Sequence, residues 1–343
     1  MGVYRSKILL IYTGGTIGMM KDYETGTLRA FDFDQLLSRI PELYQIDCDI
    51  ETVSFEVPID SSNMNPLYWV ELAEIIEQHY KQFDGFVVLH GSDTMSYTSS
   101  ALSFMLENLT KPVVFTGSQL PIGDLRTDAK ENLITAVQIA SLREKGQALV
   151  QEVCLYFEYK LYRANRTTKV SADDFEAFLS LNYPPLAESG LHLKISREKL
   201  LNKNNKNDLK VHKKMDNAIA IVKLFPGITE GVLSSMMLNP NLKGVILETF
   251  GAGNTTTEAW FLNILKEAVN QGVMVVNVSQ CMGGSVSMGQ YETSTALEKM
   301  RVVSGKDMTT EAALTKLMYL LGEGIQPRVF KTIYETSLRG ELS

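Results

Sequence analysis

The chain has 343 residues, with 33 basic and 40 acidic side chains and a formal net charge of −7. Hydrophobic residues make up 45% and charged residues 21%, which fits a globular protein and excludes disordered, collagen-like and integral membrane chains. The acidic balance gives no electrostatic reason to bind nucleic acid or an anionic membrane.

The first apolar run, Ile8–Tyr12, has five residues. A secretory core segment needs roughly 7–15 and a spanning helix about 20. Cys48, Cys154 and Cys281 are scattered and form no CxxC pair, as expected of reduced thiols. The expected location is the cytoplasm. Lys7–Tyr12, Gly85–Leu89, Pro112–Thr116, Val153–Phe157, Ala218–Phe225, Val245–Leu247 and Val273–Val278 read as strands. Several are nearly continuous in Val, Ile and Leu, the mark of strands covered on both faces.

Helical patterns lie between them. Asn65-Pro66 supplies a cap and an N1 proline, after which Trp69, Leu72, Ile76 and Tyr80 share one face. Ser99–Asn108, the stretch after Asp128, Thr257–Asn270 and Thr309–Leu321 behave likewise. The alternation predicts an α/β fold of two domains. A larger N-terminal domain, residues 1–192, is built on a mixed or parallel sheet flanked by helices. A smaller C-terminal domain, residues 218–343, is a Rossmann-like parallel sheet. Between them, 193–217 reads as a solvated linker. Lys194–Lys214 holds eight Lys or Arg and no Phe, Tyr or Trp to stack on bases.

Three Gly- and hydroxyl-rich segments each follow an apolar strand: Thr13–Gly18, His90–Thr94 and Thr116–Gln119. Ligands bind at the carboxyl ends of strands in open α/β sheets, so these loops are expected to line one polar crevice. Thr13-Gly14-x-x-x-Gly18, together with Tyr156-x-x-x-Lys160, imitates a short-chain dehydrogenase. Dinucleotide binding requires a helix straight after the glycines, and Met19–Arg29 shows no apolar period and reads as a polar flap. Acyl transfer through a hydroxyl nucleophile fits better. The histidines are His79, His90, His192 and His212, and none suits a Ser–His–Asp triad. His90 ends a buried strand and reads as a structural hydrogen-bonder. No histidine or cysteine pair has zinc-ligand spacing, so no metal or organic cofactor is expected. A hydroxyl beside an aspartate, Ser92-Asp93, and a lysine of controlled charge remain available.

At these residues the sequence resembles the L-asparaginases, specifically the bacterial cytoplasmic type I branch. The resemblance rests on Thr13–Gly18, His90–Tyr97, Lys111-Pro112-Val113 with Thr116–Gln119, Asn165–Lys169, Gly251–Asn254 and Gln280-Cys281-Met282. It spans essentially the whole chain. It implies hydrolysis of L-asparagine to L-aspartate and ammonia, with Thr16 as the nucleophile that forms an acyl-enzyme. Ser92, Asp93 and Lys169 fall on the family's second hydroxyl–Asp–Lys group, and Asp93 is also implied to hold the substrate α-amino group. Asp60-Ser61-Ser62 matches the loop for the α-carboxylate. Backbone N–H groups of the glycine loops and of Ser92 would form an oxyanion hole, worth about 3–4 kcal/mol per donor. The family also implies homodimers or homotetramers, with the Gly251–Asn254 loop helping to close sites.

Departures from the pattern are specific. Ser92 replaces the usual threonine, which keeps the hydroxyl but loses the methyl that restricts its rotamer. Asn63 stands where an acidic residue is common. Tyr23 is the one tyrosine in the flap, and Gly26-Thr27 occupies the Gly-Tyr position. Glu248 ends a strand where cooperative relatives carry an arginine, so no second asparagine site is expected. The rival readings are a glutaminase-type amidase, a subunit of a tRNA-dependent amidotransferase and a non-catalytic asparagine-binding sensor. The amidotransferase would carry an extra N-terminal domain.

Overall fold

Ser6–Gly14 (β1) buries every residue except Lys7, because it lies inside a sheet covered on both faces. The computed structural model describes residues 4–21, 28–30, 40–201, 207–289 and 292–343. By its own contacts the chain divides into Met1–Lys213 and Lys214–Ser343.

In the first unit, β1 pairs in parallel with Cys48–Ile59 (β2) on one side and Gly85–Leu89 (β3) on the other. Val113–Thr116 (β4) and Val153–Phe157 (β5) continue the parallel run outward from β3. Lys160–Arg163 (β6), Ala187–Glu188 (β7) and Lys194–Ile195 (β8) then add antiparallel strands. The order is β8-β7-β6-β5-β4-β3-β1-β2. This is the mixed sheet expected. β1, β3 and β4 all end on the side from which the three Gly- and hydroxyl-rich loops emerge.

Helices cover the sheet where the apolar spacing placed them, with one shift. Pro66–His79 (α1) starts at Asn65, whose Oδ1 accepts the Leu67 N–H at 2.9 Å, and buries Trp69, Leu72, Ala73 and Ile76. The next helix, Met95–Met105 (α2), begins four residues before the expected Ser99 and stops at Met105. Its serines 96, 99, 100 and 103 are buried, so polarity on that stretch concealed an interior helix. Ala129–Ser141 (α3) packs Leu133, Ala136, Val137 and Ala140 into the same core as Ile8, Leu10, Val87 and Val114.

Part of the segment read as a linker is built into this unit. Lys194–Ile195 is the outermost strand, and Lys210–Val211 pairs with Leu106–Glu107. His212 is buried, with Nε2 at 2.7 Å from Glu107 Oε2.

The second unit has its own parallel sheet: Ile219–Lys223 (β9), Gly244–Thr249 (β10), Met274–Ser279 (β11) and Val303–Ser304 (β12), in that order. Its helices are Glu230–Met237 (α4), Ala259–Asn270 (α5), Glu292–Lys299 (α6), Thr310–Gly322 (α7) and Pro327–Tyr334 (α8). Val245, Leu247 and Val275 pack against Phe261, Ile264 and Leu265 in a separate core. No helix among the described residues is long and apolar enough to cross a membrane.

Candidate active site

Two glycines decide how the first loops meet. Gly15 has φ 91°, a left-handed backbone open to glycine, and a Cβ there would lie 2.5 Å from the backbone nitrogen of Gly91. A Cβ on Gly91 would fall 2.6 Å from Ser61 Oγ. The turns ending β1 and β3 therefore touch through bare backbone, and the Ser61 side chain of the β2 turn packs directly on Gly91. Thr16 and Ser92 are each the residue directly after one of the two abutting glycines.

Thr16 opens a 3-10 turn, Thr16–Gly18, and is half-buried. The buried Tyr12 ring supports that turn from below: a Cβ on Gly18 would lie 2.2 Å from its hydroxyl. Burial pushes the Tyr12 phenol up to about 12, so it stays protonated near neutral pH. Met19–Lys21 pairs antiparallel with Leu28–Ala30 after the turn. Tyr23, Gly26 and Thr27 lie outside the described residues.

The second loop carries a compact polar cluster. The Lys169 ammonium donates to Ser92 Oγ at 2.9 Å and to Asp93 Oδ1 at 2.6 Å. Its side chain is 17% exposed, against 65% for Asp93, so the lysine lies on the inner side of the pair. Lys169 is positioned by a short ladder in which Thr168–Lys169 pairs with Phe178–Leu179. The Ser92 hydroxyl donates in turn to Gln119 Oε1 at 3.1 Å. Ser92 thus accepts from a cation and gives its own proton to an amide.

Asp60 caps the neighbouring turn. Its Oδ1 accepts from the N–H of Ser62 at 2.8 Å and from the Ser62 hydroxyl at 2.7 Å. Those two bonds hold its carboxyl below the usual aspartate range. Ser61 is buried, and its carbonyl accepts the Thr94 hydroxyl at 2.7 Å, which ties the Asp60–Ser62 turn to the Ser92–Thr94 turn. Thr16, Asp60, Ser61, Ser62, Ser92 and Asp93 therefore come from turns joined by direct contact, and Lys169 bonds into them.

Gln119 is the site residue for which sequence reasoning found no role. Its Nε2 donates to the carbonyls of Ala172 at 3.2 Å and Asp174 at 3.0 Å, which turns Oε1 toward Ser92. Its backbone N–H reaches the Asp128 carboxylate at 2.9 Å, and Asn132 bonds both Asp128 and the Gly117 carbonyl. The Thr116–Gln119 motif gave the only hint.

His90 behaves as the sequence suggested. A carbonyl can only accept, so Nδ1, 2.7 Å from the Gly91 oxygen, must carry the proton. Complete burial pushes the imidazole down to about 4, and it is neutral near pH 7. Tyr156 and Lys160 point to other partners, Glu131 at 2.6 Å and Glu176 at 3.4 Å, and form no dehydrogenase pair. Among the described residues no group of three or more His, Cys, Asp or Glu is placed to hold a metal ion.

Known proteins share this architecture. Residues 7–201 match the family described as Asparaginase, N-terminal, and residues 218–334 match the Glutaminase/Asparaginase C-terminal domain. The chain is 42% identical over 344 residues to L-asparaginase 1 of Escherichia coli K12, covering 99% of this chain and 98% of that one. The crystal structure of L-asparaginase I from Vibrio cholerae matches at a TM-score of 0.90 with 39% identity, covering 99% of this chain and 100% of the other. The thermostable L-asparaginase from Thermococcus kodakarensis matches at a TM-score of 0.89 with 32% identity, covering 98% of this chain and 99% of the other. With both family matches in chain order and near-complete overlap with the E. coli protein, this chain belongs to the asparaginase family.

Proposed function

We propose that this protein hydrolyses L-asparagine to L-aspartate and ammonia through an ester formed on Thr16. The observation that carries the reading is the Lys169 ammonium bonded to both Ser92 and Asp93, on a turn whose glycine abuts the Thr16 turn. Thr16 Oγ attacks the side-chain amide carbon. The C–N bond breaks, the threonine proton leaves with nitrogen as ammonia, and an ester remains. Water then attacks the ester carbon, one of its protons returns to Thr16 Oγ, and aspartate is released.

The other groups have defined tasks. Asp93 meets the substrate α-ammonium, and Lys169 fixes its carboxylate from the inner side. Asp60 already accepts the Ser62 N–H and hydroxyl, so the Ser61 hydroxyl is the side-chain donor of that turn left to meet the α-carboxylate. Backbone N–H groups beside Gly15 and Gly91 receive the oxyanion. The cytoplasm as location, and a homodimer or homotetramer as assembly, are part of the same reading. Support for them comes from the free thiols of Cys48, Cys154 and Cys281 and from the type I resemblance.

Ammonia release from L-asparagine by the purified protein tests this. Thr16→Ala should lower kcat by at least about a thousandfold, because the residue that carries the intermediate is gone. Lys169→Met should lower it by about a hundredfold or more. Asparagine binding without turnover by the unmodified protein would instead select a sensor, and equal turnover of glutamine would change the substrate.

A further inference from the structure

His90 is 1% exposed, and its backbone N–H donates to the Thr116 carbonyl at 3.0 Å, which pins it between β3 and β4. Its ring lies tilted against Phe115, with centroids 6.0 Å apart. Nδ1 donates to the Gly91 carbonyl at 2.7 Å, yet Nε2 is buried and has no hydrogen-bond partner among the described residues. A buried nitrogen left unpaired carries a free-energy cost that an apolar side chain would avoid. Stability alone therefore does not account for a histidine here. The bond to Gly91 is what a leucine could not make.

That bond controls a peptide plane. The Gly91–Ser92 peptide is trans, so its carbonyl and the Ser92 N–H point in opposite directions. With the carbonyl held toward the buried ring, the Ser92 N–H is turned away from it. This N–H has no hydrogen-bond partner among the described residues, and Ser92 is half-buried at the start of its turn. The turn that carries Thr16 packs on the same segment: a Cβ on Gly15 would lie 2.6 Å from Gly91 Cα and 3.0 Å from the His90 carbonyl carbon. Glycine at 91 permits that approach but leaves the peptide more rotational freedom than any other residue would, so a restraint from a side chain matters here.

We propose that His90 is a positioning residue: by gripping the Gly91 carbonyl it aims the Ser92 N–H at the oxyanion that forms when Thr16 attacks the asparagine amide. The proposal rests on the hydrolysis reading above. Steady-state kinetics of ammonia release by the full chain and its His90 variants tests it. His90→Leu should lower kcat about tenfold to a hundredfold with KM changed less than about threefold, because the contact strengthens only in the transition state. The Asn amide nitrogen falls where Nδ1 stands, so His90→Asn should recover most of that loss. The Gln amide reaches the Nε2 position instead, so His90→Gln should stay as slow as His90→Leu. Both amides are polar and buried alike, so their contrast separates positioning from packing, and it decides the matter even where His90→Leu fails to fold. A kcat for His90→Leu within about twofold of wild type, a loss confined to KM, or a His90→Asn no faster than His90→Gln overturns the proposal. Wild-type protein that releases no ammonia from asparagine would instead overturn the hydrolysis reading, and the proposal with it.

Discussion

Gln119 receives the Ser92 proton, and Lys169 donates to the same oxygen, so the Ser92 hydroxyl has one orientation with both partners in place. Removing the amide frees that rotor, and serine lacks the methyl that would restrain it. Gln119→Ala should lower kcat about threefold to tenfold with a smaller change in KM, the worth of one neutral hydrogen bond. Steady-state kinetics showing an unchanged kcat would deny Gln119 this positioning role. Glu158 makes a separate prediction. Burial, then the carboxylates of Asp128, Glu131 and Glu176, push its carboxyl up to about 7. The folded chain holds this proton more tightly than the unfolded chain, where the group titrates in the ordinary glutamate range. Its contribution to stability is therefore full below that range and lost as pH rises through 7. Glu158→Gln should match the wild type near pH 4.5 and show a higher urea midpoint at pH 8. Equal midpoints at pH 8 would contradict the shift.

Elements were legible where a single physical signal dominated. The run Ile8–Tyr12 announced β1, and Asn65-Pro66 announced α1. Asn65→Ala should cost about 1 kcal/mol through the lost cap to Leu67, measured by chemical denaturation. Strand β2 escaped because it is an edge strand with Asp49, Glu51, Glu56 and Pro58 along it, features that protect an edge and erase an apolar run. Strand β6 was missed for a different reason. It follows a two-residue hairpin turn in which Glu158 and Tyr159 both have positive φ, 41° and 68°, where Asn-Gly would have been the recognisable signal. The site divides along the same line. Thr16, Ser92 and Asp93 sit in contiguous motifs at strand ends. Lys169 and Gln119 join them through tertiary contacts that no spacing reveals, and the family resemblance alone pointed to Lys169.

At the scale of the whole molecule, each unit closes its own core, so each can lose stability by its own route. In the second unit Lys316 is fully buried and donates to the Tyr334 and Thr336 carbonyls, each at 2.7 Å, and to Glu341. Glu341 also accepts the backbone N–H groups of Leu338 and Arg339, which pins residues 338–341 to α7. Lys316→Met should destabilise this unit by about 3–5 kcal/mol, since Glu341 is left as an uncompensated buried charge. Adding Glu341→Gln should recover part of that loss. A double variant no more stable than the single one would mean that packing, not the stranded charge, sets the cost. The charged stretch Lys194–Lys214 read as solvent-facing because its pairing with β7 is two residues long and its pairing with Leu106–Glu107 is distant in sequence.

The most direct test of the account is the site of acylation. Rapid acid quenching of the protein during turnover of L-asparagine, followed by peptide mass spectrometry, should find an aspartyl ester on Thr16. An adduct on Ser92 or on any other side chain would contradict it.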